Sequence, residues 1–158
     1  GRSNPPAVVA SAAQGSTDDQ QAMRSYYRDD IARIPEMKLC ADQLWKNTGL
    51  GPADIQVANI YDHFTPLFLP QLEEFGFCEK GEAKEFLRDG NIDMDGSLPT
   101  NTNGGQLGEA YIHGMNGIAE AVRQIRGTSV NQVKNVENAL VTAGTSVPTS
   151  ALILSQDN

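Results

Sequence analysis

Asn101-Thr-Asn-Gly-Gly-Gln-Leu-Gly-Glu-Ala-Tyr-Ile-His-Gly-Met-Asn-Gly117 is the stretch that decides the fold. It opens in a glycine-rich loop and runs into a helical pattern. Gly104 and Gly105 permit positive φ or a close backbone approach. Leu107 to Arg126 reads as one helix, closed by Gly127. Gly108, Gly114 and Gly117 fall inside it, where each costs about 1 kcal/mol relative to Ala. Gly114 and Gly117 are three apart and share a face. Two readings stay open: tight packing of a central helix, or a loop and helix start that carry a site. Tyr111 stands near the start of the pattern. A helix N-terminus favours negative charge, so a tyrosinate there costs less than in free tyrosine.

A second such place is Asn59-Ile-Tyr-Asp-His-Phe64, at the C-terminal end of an apolar run. In α/β sheets that end of a strand is where ligands sit. The two histidines of the chain each follow a tyrosine by two positions, as Tyr61/His63 and Tyr111/His113. A tyrosine serves as general acid or base when its surroundings move its pKa toward neutrality. The plainer alternative is a half-buried aromatic with a satisfied hydroxyl. Two histidines alone make no metal site. Asn91-Ile-Asp-Met-Asp-Gly96 is superficially like a calcium loop, but its twelfth position is Thr102, not a bidentate Glu. No metal is expected.

Around these two places the chain alternates strands and helices. Ala7–Ala13 reads as a buried strand, and Ile55–Ile60 as a second. Between them Pro35 opens a helix whose Met37, Cys40, Ala41, Leu44 and Trp45 recur at helical spacing through Lys46. Gly49 and Gly51-Pro52 stop it. Thr65 is the expected N-cap of the next helix, with Pro66 at its first position. Leu67, Phe68, Leu72 and Phe75 form that helix's apolar face. Glu82–Arg88 is a short charged helix. Residues 91–105 form a long connection of the kind that is usually functional or flexible. Asn138–Gly144 and Ser150–Leu154 are the last strands, joined by a turn at Pro148. The order implies an α/β fold with a mixed sheet of about five strands and helices on both faces. One domain is expected over residues 1–158, with 1–6 as a linker.

Composition narrows the function. The 158 residues carry a net charge of −8. That opposes a nucleic-acid surface, which needs clustered Lys and Arg. Any phosphate-holding group would have to be local or come from another chain. Cys40 and Cys78 match no metal knuckle, and read as reduced thiols of a cytoplasmic protein. No apolar run approaches the roughly 20 residues that span a bilayer, so no membrane insertion is expected.

Taken together, Asn101-Thr-Asn-Gly-Gly105 and the following Gly114 and Gly117 resemble the thiolase signature. There an Asn-x-x-Gly-Gly loop leads into Gly-His-Pro-x-Gly-x-x-Gly. In register, Ala110 falls on the first glycine, Tyr111 on the histidine and Ile112 on the proline. Tyr61-Asp-His-Phe64 is similar to the thiolase Asn-Glu-Ala-Phe segment, with Tyr61 in the place of the Asn. The resemblance runs over nearly the whole chain and implies the C-terminal half of a thiolase fold. The departures point away from thiolase chemistry. The nucleophilic cysteine belongs to an N-terminal half absent from this chain. The histidine is Tyr111, and the Cys-x-Gly turn is Thr142-Ala-Gly-Thr-Ser146. Tyrosines at both places resemble the lipid-transfer-protein-type homologues, in particular the steroid side-chain-cleaving aldolases of actinobacteria.

That resemblance implies Tyr61 and Tyr111 as the catalytic pair, with His63, Asn103, Gly104, Gly105 and His113 binding substrate. It implies a retro-aldolase that cleaves a steroid β-hydroxyacyl-CoA to a ring ketone and propionyl-CoA. Coenzyme A would enter only as the substrate thioester, with no other cofactor. The implied partners are the N-terminal thiolase half, a second copy in a homodimer, and a small OB-fold protein. The alternatives are a non-catalytic lipid- or acyl-CoA-binding homologue, and an acyl-CoA acyltransferase.

Overall fold

Apolar residues of the central strands alternate, and so feed two separate cores on opposite sides of one sheet. The computed structural model describes residues 4–18, 28–110, 112–144 and 149–157. Its strands are β1 (Ala7–Gly15), β2 (Val57–Asn59), β3 (Asn138–Ala143) and β4 (Thr149–Gln156), in spatial order β1-β4-β3-β2. β1 and β3 are antiparallel to β4, while β2 is parallel to β3. The sheet is mixed, as expected.

Leu140, Ile153 and Ala58 face one core, with Met37, Cys40 and Leu44 of α1 (Pro35–Thr48) and Leu72 of α2 (Phe68–Glu74). Phe86 and Leu87 of α3 (Ala83–Arg88) pack at its margin. Val57, Ala139, Val141 and Leu154 face the other core, with Ala121 and Ile125 of α5 (Met115–Ile125). Helices therefore cover both faces. α1 begins at Pro35, whose fixed φ suits a first turn. It ends where Gly49 turns left-handed at φ 73° and bonds back to the carbonyl of Trp45. The following helix starts differently from the expectation. Residues Thr65–Leu67 form a 3₁₀ turn with Phe64 at the cap position, and no side chain caps it.

Two further expectations are corrected. The sheet has four strands, not five. Beyond β2 lies a single parallel bridge between Ala58 and Thr100. Pro99 has no N–H to extend this pairing, and Asn101 turns away at φ 52°. The helix expected over 107–126 is broken. α4 (Gly105–Gly108) ends in extended backbone at Glu109, and α5 begins at Met115. Between them His113 and Gly114 take φ of 42° and 87°, values that no α-helix tolerates. Gly114 is thus the N-cap of α5 rather than a residue in mid-helix. Gly1–Ser3 of the expected linker and the turn at Pro148 lie outside the described residues, as does Tyr111.

Three buried carboxylates support this frame. Glu74 pairs with Arg33 and accepts the N–H of Ile34. Glu120 accepts the hydroxyls of Thr102 and Ser129, which ties the 101–103 loop to α5. Glu36, fully buried, accepts Thr17 Oγ1 at 2.7 Å and Arg28 Nη1 at 3.1 Å. Burial pushes the Glu36 carboxyl up, but the bonds from Arg28 and Thr17 outweigh it and hold it below the ordinary 4.5. A depressed carboxylate stabilises the fold above its unfolded pKa, and that contribution is lost as pH falls through the folded value. Glu36→Gln is therefore expected to lower stability at pH 7 and to flatten the acid limb below about pH 4.5. Urea midpoints measured across this range check it, and an unchanged acid limb would contradict it.

Candidate functional site

The carboxyl end of β2 is where the chain leaves the sheet, and side chains there replace the ladder. Asn101 accepts the N–H of Ile60 at 2.8 Å and donates to its carbonyl at 3.0 Å. One residue on, the N–H of Tyr61 donates to Thr142 Oγ1 at 2.8 Å. Gln71 Nε2 donates to the carbonyl of Tyr61 at 2.8 Å, and Thr142 Oγ1 donates to Gln71 Oε1 at 2.6 Å. Gln71 and Thr142 so close a ring of hydrogen bonds around the Tyr61 peptide. Both are buried, and Tyr61 itself is 7% exposed.

Asp62 connects this strand end to the glycine loop. Its Oδ1 accepts the N–H of Gln106 in α4 at 2.6 Å. Gly105, at φ 65°, presses so close that a Cβ would lie 2.2 Å from Asp62 Oδ2. Only glycine satisfies both the conformation and the space. Asn103 closes the loop from its other side. Its Oδ1 accepts the N–H of Gly105 at 3.2 Å and its Nδ2 donates to Glu109. A Cβ on Gly114 would lie 3.4 Å from Tyr61 Cε2, so the backbone before α5 passes directly against the tyrosine ring.

These elements enclose a small cavity of about 10 Å³, room for one water-sized group. Asn59, Tyr61, Asn103, Gln106, Gly117 and Thr142 are on its wall. The buried amide of Asn59 and Oε1 of Gln106 have no hydrogen-bond partner among the described residues. Buried polar groups are rarely left so, and functional sites are where the exceptions concentrate.

The structure brings most of the expected residues together. Tyr61, Asn103 and Gly105 line this one cavity, and Gly104 caps α4 at φ 98°. The His63 ring centroid lies 4.6 Å from that of Tyr61 and 4.7 Å from that of Phe64. Burial lowers the His63 pKa, which opposes a positive charge beside the tyrosine; a backbone bond to Tyr61 offsets this only in part. His113 is exposed and adjoins Gly114. Tyr111 lies outside the described residues, between Ala110 and Ile112. Asn59, Asp62, Gln71, Gln106 and Thr142 were not singled out from the sequence. Gln71 leaves one signal, a polar residue three positions after Phe68 and one before Leu72 on an apolar face. The rest have no periodicity to betray them.

Neither cysteine is poised for nucleophilic work. Burial pushes both the Cys40 and the Cys78 thiol up to about 11. Among the described residues no cluster of His, Cys, Asp and Glu could hold a metal, and no helix is long and apolar enough to cross a membrane.

Comparison with known proteins finds similar chains. A family model described as thiolase C-terminal domain-like matches residues 16–156. A steroid side-chain-cleaving aldolase of Thermomonospora curvata is 66% identical over 154 residues, covering 98% of this chain and 39% of that protein. A 17-hydroxy-3-oxo-4-pregnene-20-carboxyl-CoA lyase of Mycobacterium tuberculosis is 65% identical, covering 94% and 39%. The chain thus spans about two-fifths of the length of these relatives. Among solved structures, an Ltp2-ChsH2(DUF35) aldolase superposes with a TM-score of 0.95 at 65% identity, covering 98% of this chain and 41% of that one. A monomeric SCP2-thiolase-like protein of Mycobacterium smegmatis, at 19% identity and TM-score 0.65, shares the fold.

Opposite stability effects are expected at two positions. Gly105→Ala should destabilise by about 1–3 kcal/mol through strain and the clash with Asp62. Asn59→Leu removes a buried amide with no partner among the described residues and should leave stability unchanged or raise it by up to about 1–3 kcal/mol. Thermal and denaturant unfolding of both variants measure this. A marked loss of stability in Asn59→Leu would show that the amide has a structural task.

Proposed function

This chain belongs to the thiolase C-terminal domain-like family, and we propose that the protein containing it cleaves a carbon–carbon bond in a steroid β-hydroxyacyl-CoA. One tyrosine of the pair Tyr61 and Tyr111, as tyrosinate, takes the proton of the β-hydroxyl. The Cα–Cβ bond breaks as the C–O bond becomes a ketone, and its electron pair passes into a thioester enolate. The other tyrosine returns a proton to Cα, giving a ring ketone and propionyl-CoA. No redox partner is consumed, and the reaction is balanced once a proton passes from the first tyrosine back to the second.

The observation that carries this reading is the mounting of Tyr61. Its N–H and C=O are held by Thr142 and Gln71 at a strand end, and its ring lies against the backbone before α5. A general acid or base works only when held to within a fraction of an ångström. The thiols of buried Cys40 and half-buried Cys78, both pushed up by burial, agree with chemistry that forms no acyl-cysteine in this domain. The names of the T. curvata and M. tuberculosis relatives support the substrate class.

His63, Asn103, Gly104, Gly105 and His113 contact the acyl-CoA in this reading. Coenzyme A enters as part of the substrate. An N-terminal thiolase half supplies the remaining wall, and exposed Phe64, Leu107, Ile112 and Met115 offer it or the acyl group an apolar surface. The intact protein works in the cytoplasm, as a homodimer with a small OB-fold partner. The name of the Ltp2-ChsH2(DUF35) aldolase supports assembly with a second protein.

Tyr61→Phe and Tyr111→Phe in the full-length protein are each expected to lower kcat by about 10²-fold or more. The assay follows ring ketone and propionyl-CoA released from a steroid β-hydroxyacyl-CoA. Wild-type cleavage by both variants would refute the mechanism. Tight binding of the thioester without turnover by the wild type would favour a carrier, and acyl transfer dependent on a cysteine of the other half would favour a thiolase.

A further inference from the structure

Asn116 is 5% exposed, in the first turn of α5, and its amide is spent on the segment that carries Tyr111. Nδ2 donates to the carbonyl of Ala110, and Oδ1 accepts the N–H of Ile112 at 3.1 Å. Ala110 and Ile112 are the residues immediately before and after Tyr111. Nδ2 also lies 3.4 Å from Glu109 Oε2, the same carboxylate oxygen that takes Asn103 Nδ2. One buried side chain therefore bonds both Ala110 and Ile112, and reaches the glycine loop through Glu109. Asn is a poor helix former, and at this place it does what few side chains can. It donates and accepts at once, from two atoms on one planar group.

We propose that Asn116 is a positioning residue for the cleavage reaction, acting on Tyr111 through the peptide groups on its two sides. The proposal rests on the reading of Tyr111 as acid or base. Asn116→Ala removes both bonds. Asn116→Asp keeps the volume and the bond from Ile112, but turns a carboxylate oxygen, which cannot donate, toward the carbonyl of Ala110.

A double-mutant cycle in the full-length protein tests it, with a steroid β-hydroxyacyl-CoA as substrate. Asn116→Ala is expected to lower kcat about 10- to 100-fold with little change in KM, the size of loss that follows from small misplacement of a reacting group. In a Tyr111→Phe background the same substitution should cost less than about two-fold, because the group it positions is already gone. Asn116→Asp should lose at least as much kcat as Asn116→Ala; its carboxylate faces Glu109, so it should also melt below the wild type, and kcat is read where it still unfolds cooperatively. It carries the test if the alanine variant does not fold. A fully additive loss in the Tyr111→Phe background, or wild-type kcat in the Asp variant, overturns the proposal. A Tyr111→Phe enzyme with wild-type kcat instead overturns the reading of Tyr111 on which it rests. The two failures are thus separate.

Discussion

The backbone groups of Ile60 and Tyr61 are held by side chains, and the rest of the site depends on that arrangement. A strand that leaves its sheet exposes N–H and C=O groups that are costly to bury unpaired. Here Asn101, Thr142 and Gln71 satisfy them from a loop, a neighbouring strand and a helix. Each such bond is worth only about 1 kcal/mol net. Their collective effect is geometric, because three elements must be in register before the ring around the Tyr61 peptide closes. The tyrosine is then oriented by the tertiary structure as a whole.

The glycine loop is positioned from the same strand end. Asp62 follows Tyr61 directly and anchors the backbone of Gln106, with Gly105 pressed against its carboxylate. The buried Glu120 holds Thr102 from the side of α5. The loop is therefore clamped between β2 and α5, and the cavity lies inside the clamp with the Asn59 amide, which has no partner among the described residues. Such a cavity lowers stability for the sake of polar groups aimed at one place, a common feature of binding and catalytic sites.

The same geometry explains why the segment between α4 and α5 is not helical. His113 and Gly114 turn left-handed, and the backbone at Gly114 passes against the ring of Tyr61. A continuous helix would have a φ near −63° at both residues. The break lets α5 begin afresh with Gly114 as its cap. Asn116 then uses its amide on the backbone before the helix.

Strand and helix order, the apolar faces of α1 and α2, Pro35 and Gly49 as helix limits, and the close backbone approach at Gly105 were all legible in the sequence. They rest on local chemistry: periodicity, fixed φ, and glycine where no Cβ fits. The count of strands was not legible, because a missing N–H at Pro99 and a turn at Asn101 reduce a strand to one bridge. Nor was the break in the 107–126 pattern, since the left-handed turn at His113–Gly114 sits within a stretch whose polar and apolar residues still follow helical spacing. Asn59, Asp62, Gln71, Gln106, Asn116 and Thr142 carry no local mark of their roles. The bonds of Asp62 to Gln106, of Gln71 to Thr142 and of Thr142 to Tyr61 span 44, 71 and 81 positions, and hydrogen bonds over such separations exist only once the sheet and its helices have assembled. The sequence by itself determined which residues are available to the site and which elements carry them. The tertiary structure alone decided which polar groups meet, because that depends on packing between elements rather than on order along the chain.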